Sequence, residues 1–209
     1  WMNKGGAYEE TAVLYRSNAQ SRAIEEALLR ISIPYRIYGG LRFYERLEIK
    51  NAIAYLRIIF NNNDNPSFER SISNPTRGVG EKTLGKIRNI AKKYNISYVK
   101  ASAKLIDEGS VSGRGGSGLR DYLEFVAGCK NFIEENNLSE LMELIIKESG
   151  LYAYHAKEAG EKGKTRTENL EELITATKNF EQSIKEEKTN IEIAESYLDV
   201  ISLDSGDRQ

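Results

Sequence analysis

Apolar residues recur at three- and four-residue spacing through most of this chain, the signature of helices that each bury one face. Two short stretches near the N-terminus break that period. Thr11-Ala12-Val13-Leu14-Tyr15 is a β-branched and aromatic run that predicts a buried strand. Tyr35-Arg36-Ile37-Tyr38, opened by Pro34 and closed by Gly39-Gly40, predicts a second. Between them, Ala19, Ile24, Ala27 and Leu28 put an apolar face on a helix over residues 18–30. This strand–helix–strand opening is the only α/β-like portion.

From residue 45 to 203 the pattern is all-α. A helix over 45–60 carries a broad stripe of Leu47, Ile49, Ile53, Ala54, Leu56 and Ile58 and stops in an asparagine-rich loop. Pro66 suits the first position of a short helix reaching Ile72. Asn74-Pro75-Thr76-Arg77-Gly78-Val79-Gly80 reads as a tight turn, followed by helices over 81–94 and 97–106. Five glycines and three serines between 109 and 118 predict a flexible loop. Helices over 119–136, 139–149 (capped by Ser139), 166–183 and about 190–202 complete the chain, with no internal repeat.

Composition changes this picture mainly through charge. The 209 residues sum to −1, but residues 70–104 hold nine basic side chains against Glu81 alone, +8. Residues 105–209 carry −10 and residues 1–69 carry +1. A compact basic block in an otherwise acidic chain reads as a local footprint for a polyanion. The single cysteine, Cys129, excludes an internal disulfide, reads as a packed thiol and fits a reducing, cytoplasmic setting. No apolar run approaches the roughly 18 residues of a membrane span. An opening on Trp1 rather than Met is what a segment of a longer protein would show.

Three stretches carry candidate chemistry. Tyr15-Arg16-Ser17-Asn18-Ala19-Gln20-Ser21-Arg22 lies where a strand meets a helix. Free amides at a helix start, with Arg16 and Asn18 as added donors, can hold a phosphate; an ordinary turn capped by Ser17 or Asn18 explains the stretch equally well. In residues 35–50, four aromatics and four basic side chains could stack bases and hold phosphates, yet for most of them a packed domain junction is the simpler account. Lys50 is the exception, able to project toward a ligand. In Thr76-Arg77-Gly78-Val79-Gly80-Glu81-Lys82-Thr83, Gly78 and Gly80 bracket one apolar residue between two helices. Such a hairpin lets backbone approach a phosphate closely, and the surrounding basic block argues for that use over a plain turn.

Other features point nowhere. Gly160-Glu161-Lys162-Gly163-Lys164-Thr165 ends like a nucleotide-binding P-loop, but the first glycine of that motif should stand where Glu158 does. His155 has no neighbouring cysteine and no acidic partner evident in the sequence, so neither a metal nor a catalytic role is assigned. Glu168, Glu171, Glu172, Glu186 and Glu187 read as solvated helix faces, and no nucleophile–base–orienter set emerges.

The three candidate stretches, in this order and spacing, resemble the UvrD/PcrA/Rep branch of superfamily 1 DNA helicases. The resemblance is carried by residues 14–22, 34–57 and 74–83, and by Thr165-Arg166-Thr167-Glu168-Asn169-Leu170-Glu171-Glu172-Leu173 within 160–173. It is weakest over 97–140. It implies a mainly α fold: part of the second RecA-like motor domain (2A) over 1–44, a helical inserted domain (2B) over 45–203, and a return linker over 204–209. It further implies a parent enzyme that is an ATP-dependent 3′–5′ helicase in repair or replication, using ATP and Mg²⁺ bound elsewhere, with no cofactor in this segment. DNA at a single strand–duplex junction, the remaining motor domains and repair proteins would be its partners, in a bacterial cytoplasm and with no membrane. Arg16 and Asn18 would touch the tracked strand and Lys50 the junction. Gly78, Gly80 and Thr83 would meet duplex backbone without sequence preference, supported by Arg77 and Lys82, and would regulate unwinding. A stand-alone duplex-binding module, or a protein-interaction module using the acidic half, are the alternatives.

Overall fold

The structure is a computed structural model describing residues 7–38, 40–185 and 187–204, apart from the side chains of Glu9, Asn18, Leu203 and Asp204. Residues 1–6, Gly39, Glu186 and residues 205–209, where the return linker was expected, lie outside the described residues. Ten α-helices run in order: α1 Ser21–Arg30, α2 Leu47–Phe60, α3 Asn65–Ser73, α4 Glu81–Tyr94, α5 Tyr98–Asp107, α6 Gly113–Glu135, α7 Leu138–Glu148, α8 Leu151–Ala156, α9 Glu161–Ser183 and α10 Asn190–Asp204.

Helix α2 is the axis of the bundle. Ile49, Ala52, Ile53, Tyr55, Leu56, Ile58 and Ile59 are buried on several sides of it, because α3, α6, α7 and α9 all pack against it. A helix that is apolar nearly all round belongs in a core, and each fully buried Ile or Leu contributes roughly 1.5–3 kcal/mol. Polar groups stitch this core to the α3–α4 connector. Tyr55 Oη lies 2.6 Å from the Ser71 carbonyl and 2.9 Å from that of Asn74, and the Ser71 and Tyr122 hydroxyls meet at 2.6 Å. Burial pushes both phenols well above their usual range, so they stay neutral. Cys129 is buried as expected, its thiol pushed up to about 12 by desolvation.

Several expectations need correction. Residues 11–15 and 35–38 make no strand ladder, since strand amides and carbonyls need a neighbouring strand and none lies beside them among the described residues. Helix α1 forms, but its buried residues are Ser21, Arg22 and Glu25, while Leu29 and Ile31 face outward. The glycine-rich stretch is helical from Gly113, not a loop throughout. Asn137, not Ser139, caps α7, its side chain accepting from the Glu140 amide while Glu140 reaches back to the Asn137 amide. Helix α9 starts at Glu161, five residues early, and Pro66 is the second rather than the first residue of α3, after the Asp64 cap. In that first turn the missing proline N–H costs nothing.

Candidate nucleic-acid interface

The connector between α3 and α4 is built outward from its buried points. Val79 is buried, while the flanking Gly78 and Gly80 are exposed. Gly78 has φ of +76°, a left-handed conformation that favours glycine. Gly80 has φ of −94° and ψ of 178°, open to any residue, and a methyl group there would meet nothing within 4 Å. The two glycines therefore differ: the fold demands the first and is indifferent to the second. No side chain caps α4, whose first turn carries Glu81, exposed Lys82 and half-buried Thr83.

Arg77 turns inward. Its guanidinium donates to the carbonyls of Ser71 (3.2 Å), Pro75 (2.9 Å) and Ser149 (2.8 Å), and lies 5.4 and 5.6 Å from the ring centres of Tyr55 and Tyr122. It organises the root of the hairpin. The basic block as a whole is less free than its count of nine suggests. Arg88 makes two bonds to Glu69 and one to Glu81, and Lys104 pairs with Glu108. Lys82, Lys86, Lys92, Lys93 and Lys100 have no acidic partner among the described residues, though Lys86 donates to the Ser110 carbonyl at 2.7 Å.

The face opposite the hairpin was missed in the sequence. The first turns of α6 lie directly on it. A methyl at Gly118 would come within 2.0 Å of the Arg77 carbonyl oxygen, and one at Gly115 within 3.1 Å of the Gly78 oxygen and 3.4 Å of Thr83 Oγ1. A methyl at Gly78 would meet Arg114 Cγ at 2.7 Å. The i, i+3 spacing of Gly115 and Gly118 is the signal that could have found this contact, because it puts both on one helical face.

The other predicted residues stand on separate elements. Arg16 is exposed, and its amide (2.9 Å) and that of Ser17 (3.2 Å) both donate to Gln20 Oε1, which reaches back into the turn; Gln20, at the N-cap of α1, makes no side-chain capping bond to that helix. The Asn18 side chain lies outside the described residues. Lys50 is exposed on α2, at the lip of an open cleft of about 770 Å³ also lined by Tyr44, Arg57, Arg70 and Ile201.

Phe43 and Tyr44 are buried, whereas Tyr38 is exposed. Beside them runs a buried polar network. Arg46 donates to Asn169 Oδ1 (2.9 Å) and Ser21 Oγ (2.7 Å), Asn169 donates to Glu48 (2.6 Å), and Arg166 joins Glu48 to Glu158. Arg22 pairs with Glu26 and Glu172, so Glu172 is not merely solvated. His155 does have an acidic partner, Glu158, at 2.6 Å from Nδ1; the three-residue spacing is the signal that could have found it. Gly163, Lys164 and Thr165 lie inside α9, where a methyl at Gly163 would meet the Glu158 carbonyl at 2.3 Å.

Residues 1–112 match the family described as UvrD-like helicase C-terminal domain. This chain belongs to that family. Over its whole length it is 44% identical to DNA helicase II of Escherichia coli K12, and over 96% of it 34% identical to the ATP-dependent DNA helicase PcrA of Bacillus subtilis. Leuconostoc citreum PcrA is 36% identical over 94% of the chain. The chain spans 29%, 27% and 26% of those three relatives' lengths. The UvrD/PcrA resemblance read from the motifs is thus shown. Among the described residues no helix is long and apolar enough to cross a membrane.

Proposed function

We propose that this chain is the part of an ATP-dependent DNA helicase that grips duplex backbone next to the single strand–duplex junction. In this reading residues up to 44 belong to the second motor domain and 45–203 form the inserted helical domain. ATP and Mg²⁺ act in other segments of the whole protein, which unwinds DNA 3′–5′ in repair or replication. Arg16 and Asn18 serve the tracked strand, Lys50 the junction, and Gly80, Lys82 and Thr83 the duplex, with Arg77 and Gly78 shaping the hairpin. The outward apolar side chains of residues 13–41 support the division, since an exposed apolar face of that kind suits a neighbouring protein surface.

The observation that carries the reading is Gly80. Nothing in the fold requires glycine there, and it stands exposed at an uncapped helix start beside unpaired Lys82. A residue kept small for no internal reason fits close approach by an external phosphate. The test is duplex binding by Gly80→Asp combined with Thr83→Ala, measured over a range of salt. The unaltered chain should bind without base preference, with log Kd rising by about 0.9 per phosphate contact for each decade of salt. The double variant should lose most of that affinity. Binding indifferent to salt, or strongly selective for one sequence, would remove the reading.

A further inference from the structure

We propose that Arg114, on α6, is a second backbone contact to the same duplex, and that Gly78 is bare so that this side chain can lie across the hairpin. The proposal rests on the hairpin being the duplex grip. Its basis is the way α6 meets the connector. A methyl at Gly78 would fall 2.7, 3.1 and 3.3 Å from Arg114 Cγ, Cδ and Nε. The whole stem, up to the start of the guanidinium, therefore runs over the Gly78 backbone. Any side chain at position 78 would displace it.

The head of that side chain is uncommitted. Arg114 is exposed and has no hydrogen bond or ion pair to any described residue, in contrast to Arg77, whose donors meet three carbonyls. One residue on, Gly115 rests against Gly78 and Thr83, fixing α6 against the first turn of α4. On the same side Lys86 reaches across to Ser110, just before α6. Arg114 thus joins Lys82, Lys86 and Thr83 in one cluster drawn from two helices. The only carboxylate in the first turn of α4, Glu81, is bonded to Arg88. A planar guanidinium that can bond two oxygens of one phosphodiester suits this position better than a lysine would.

The experiment compares Arg114→Met, Arg114→Lys and Gly80→Asp in the same chain, using a short fluorescently labelled duplex and anisotropy across a salt series. Arg114→Met keeps an unbranched stem over Gly78 and removes only the charge. Its duplex affinity should fall roughly tenfold, the worth of one charged hydrogen-bonded contact. Its log–log salt slope should become shallower by about 0.9, one phosphate fewer. Arg114→Lys should keep the native slope with intermediate affinity. If Arg114→Met weakens binding at an unchanged slope, the residue only props the hairpin and the contact is refuted. If it binds as the parent does while Gly80→Asp fails, the grip stands and Arg114 is no part of it. If neither variant changes binding, both readings fall.

Discussion

Residues 7–46 and the bundle of 47–204 differ in what they bury: apart from Phe43 and Tyr44, the buried side chains of the first segment are polar or charged. In the bundle the core is built of Ile, Leu, Phe and Tyr, and Glu48 is its one buried carboxylate among the described residues. In the N-terminal segment, Arg22 is only 4% exposed and Glu25 is buried, while Leu14 is 94% and Ile31 63% exposed. Helix α1 faces the bundle with its polar side, joined through Arg22 to Glu172 and through Ser21 to Arg46, which in turn bonds Asn169. Glu25 accepts from the Phe43 amide. The apolar side is left to whatever else the segment packs on. The lesson is that a helix's amphipathicity names two surfaces and not which of them the neighbour in hand will cover.

The contrast can be tested by breaking each region on its own terms. The largest effect should come from Gly118→Ala in the bundle, where the new methyl would press on a backbone oxygen at 2.0 Å. No rotamer relieves that, so α6 must shift, at a cost of about 3 kcal/mol in chemical denaturation. Gly80→Ala, with open space, should stay within about 0.5 kcal/mol of the parent. Equal stabilities for the two would mean that α6 does not lie on the hairpin as described.

Arg46→Ala should come next, at about 2 kcal/mol, because it strips partners from buried Asn169 and Ser21 at the seam between the regions. A neutral result would show that the polar contact between segment and bundle is not made in solution. A smaller effect concerns Glu158, whose carboxyl is held below its usual 4.5, first by the bond to His155 and then by Arg166. A depressed folded-state value contributes stability above 4.5 that is lost as pH falls through the lower value. Denaturant midpoints should therefore drop in acid, and less so in Glu158→Gln; an identical drop in both would assign it to other groups. Smallest of all, Leu14→Ser should leave stability within about 0.5 kcal/mol while reducing aggregation at high concentration. A loss several times larger would mean that Leu14 is packed after all.

Much of the bundle was legible from the sequence because its signals are local. Helix α4 was bounded at both ends: Gly80 precedes it, and Asn95, with φ of +52°, ends it in the left-handed conformation that asparagine tolerates. The start of α6 was not legible, because glycine has the same local preference whether it loosens a loop or admits a neighbour, and only the fold shows which. Likewise Arg46 and Asn169, 123 residues apart, become partners through chain geometry that no spacing announces, whereas His155 and Glu158 stand three apart, a helical spacing that could have been read. Around the candidate site, the glycine-flanked turn between two helices and the exposure of Lys82 and Lys86 were legible. The inward turn of Arg77 and the lie of the Arg114 stem over Gly78 were not, since side-chain direction follows from the carbonyls and backbone gathered around each.

The three carbonyls that hold Arg77 come from different places: the end of α3, the connector itself, and the turn between α7 and α8. Mechanically this makes the guanidinium a rivet. A pull on the hairpin, such as a bound duplex would exert under the proposed function, would be transmitted through it to α3 and the α7–α8 corner at once, and through Val79 to the core. The hairpin would then behave as a stiff tooth, moving with the bundle as one body and passing force to it with little lost in bending.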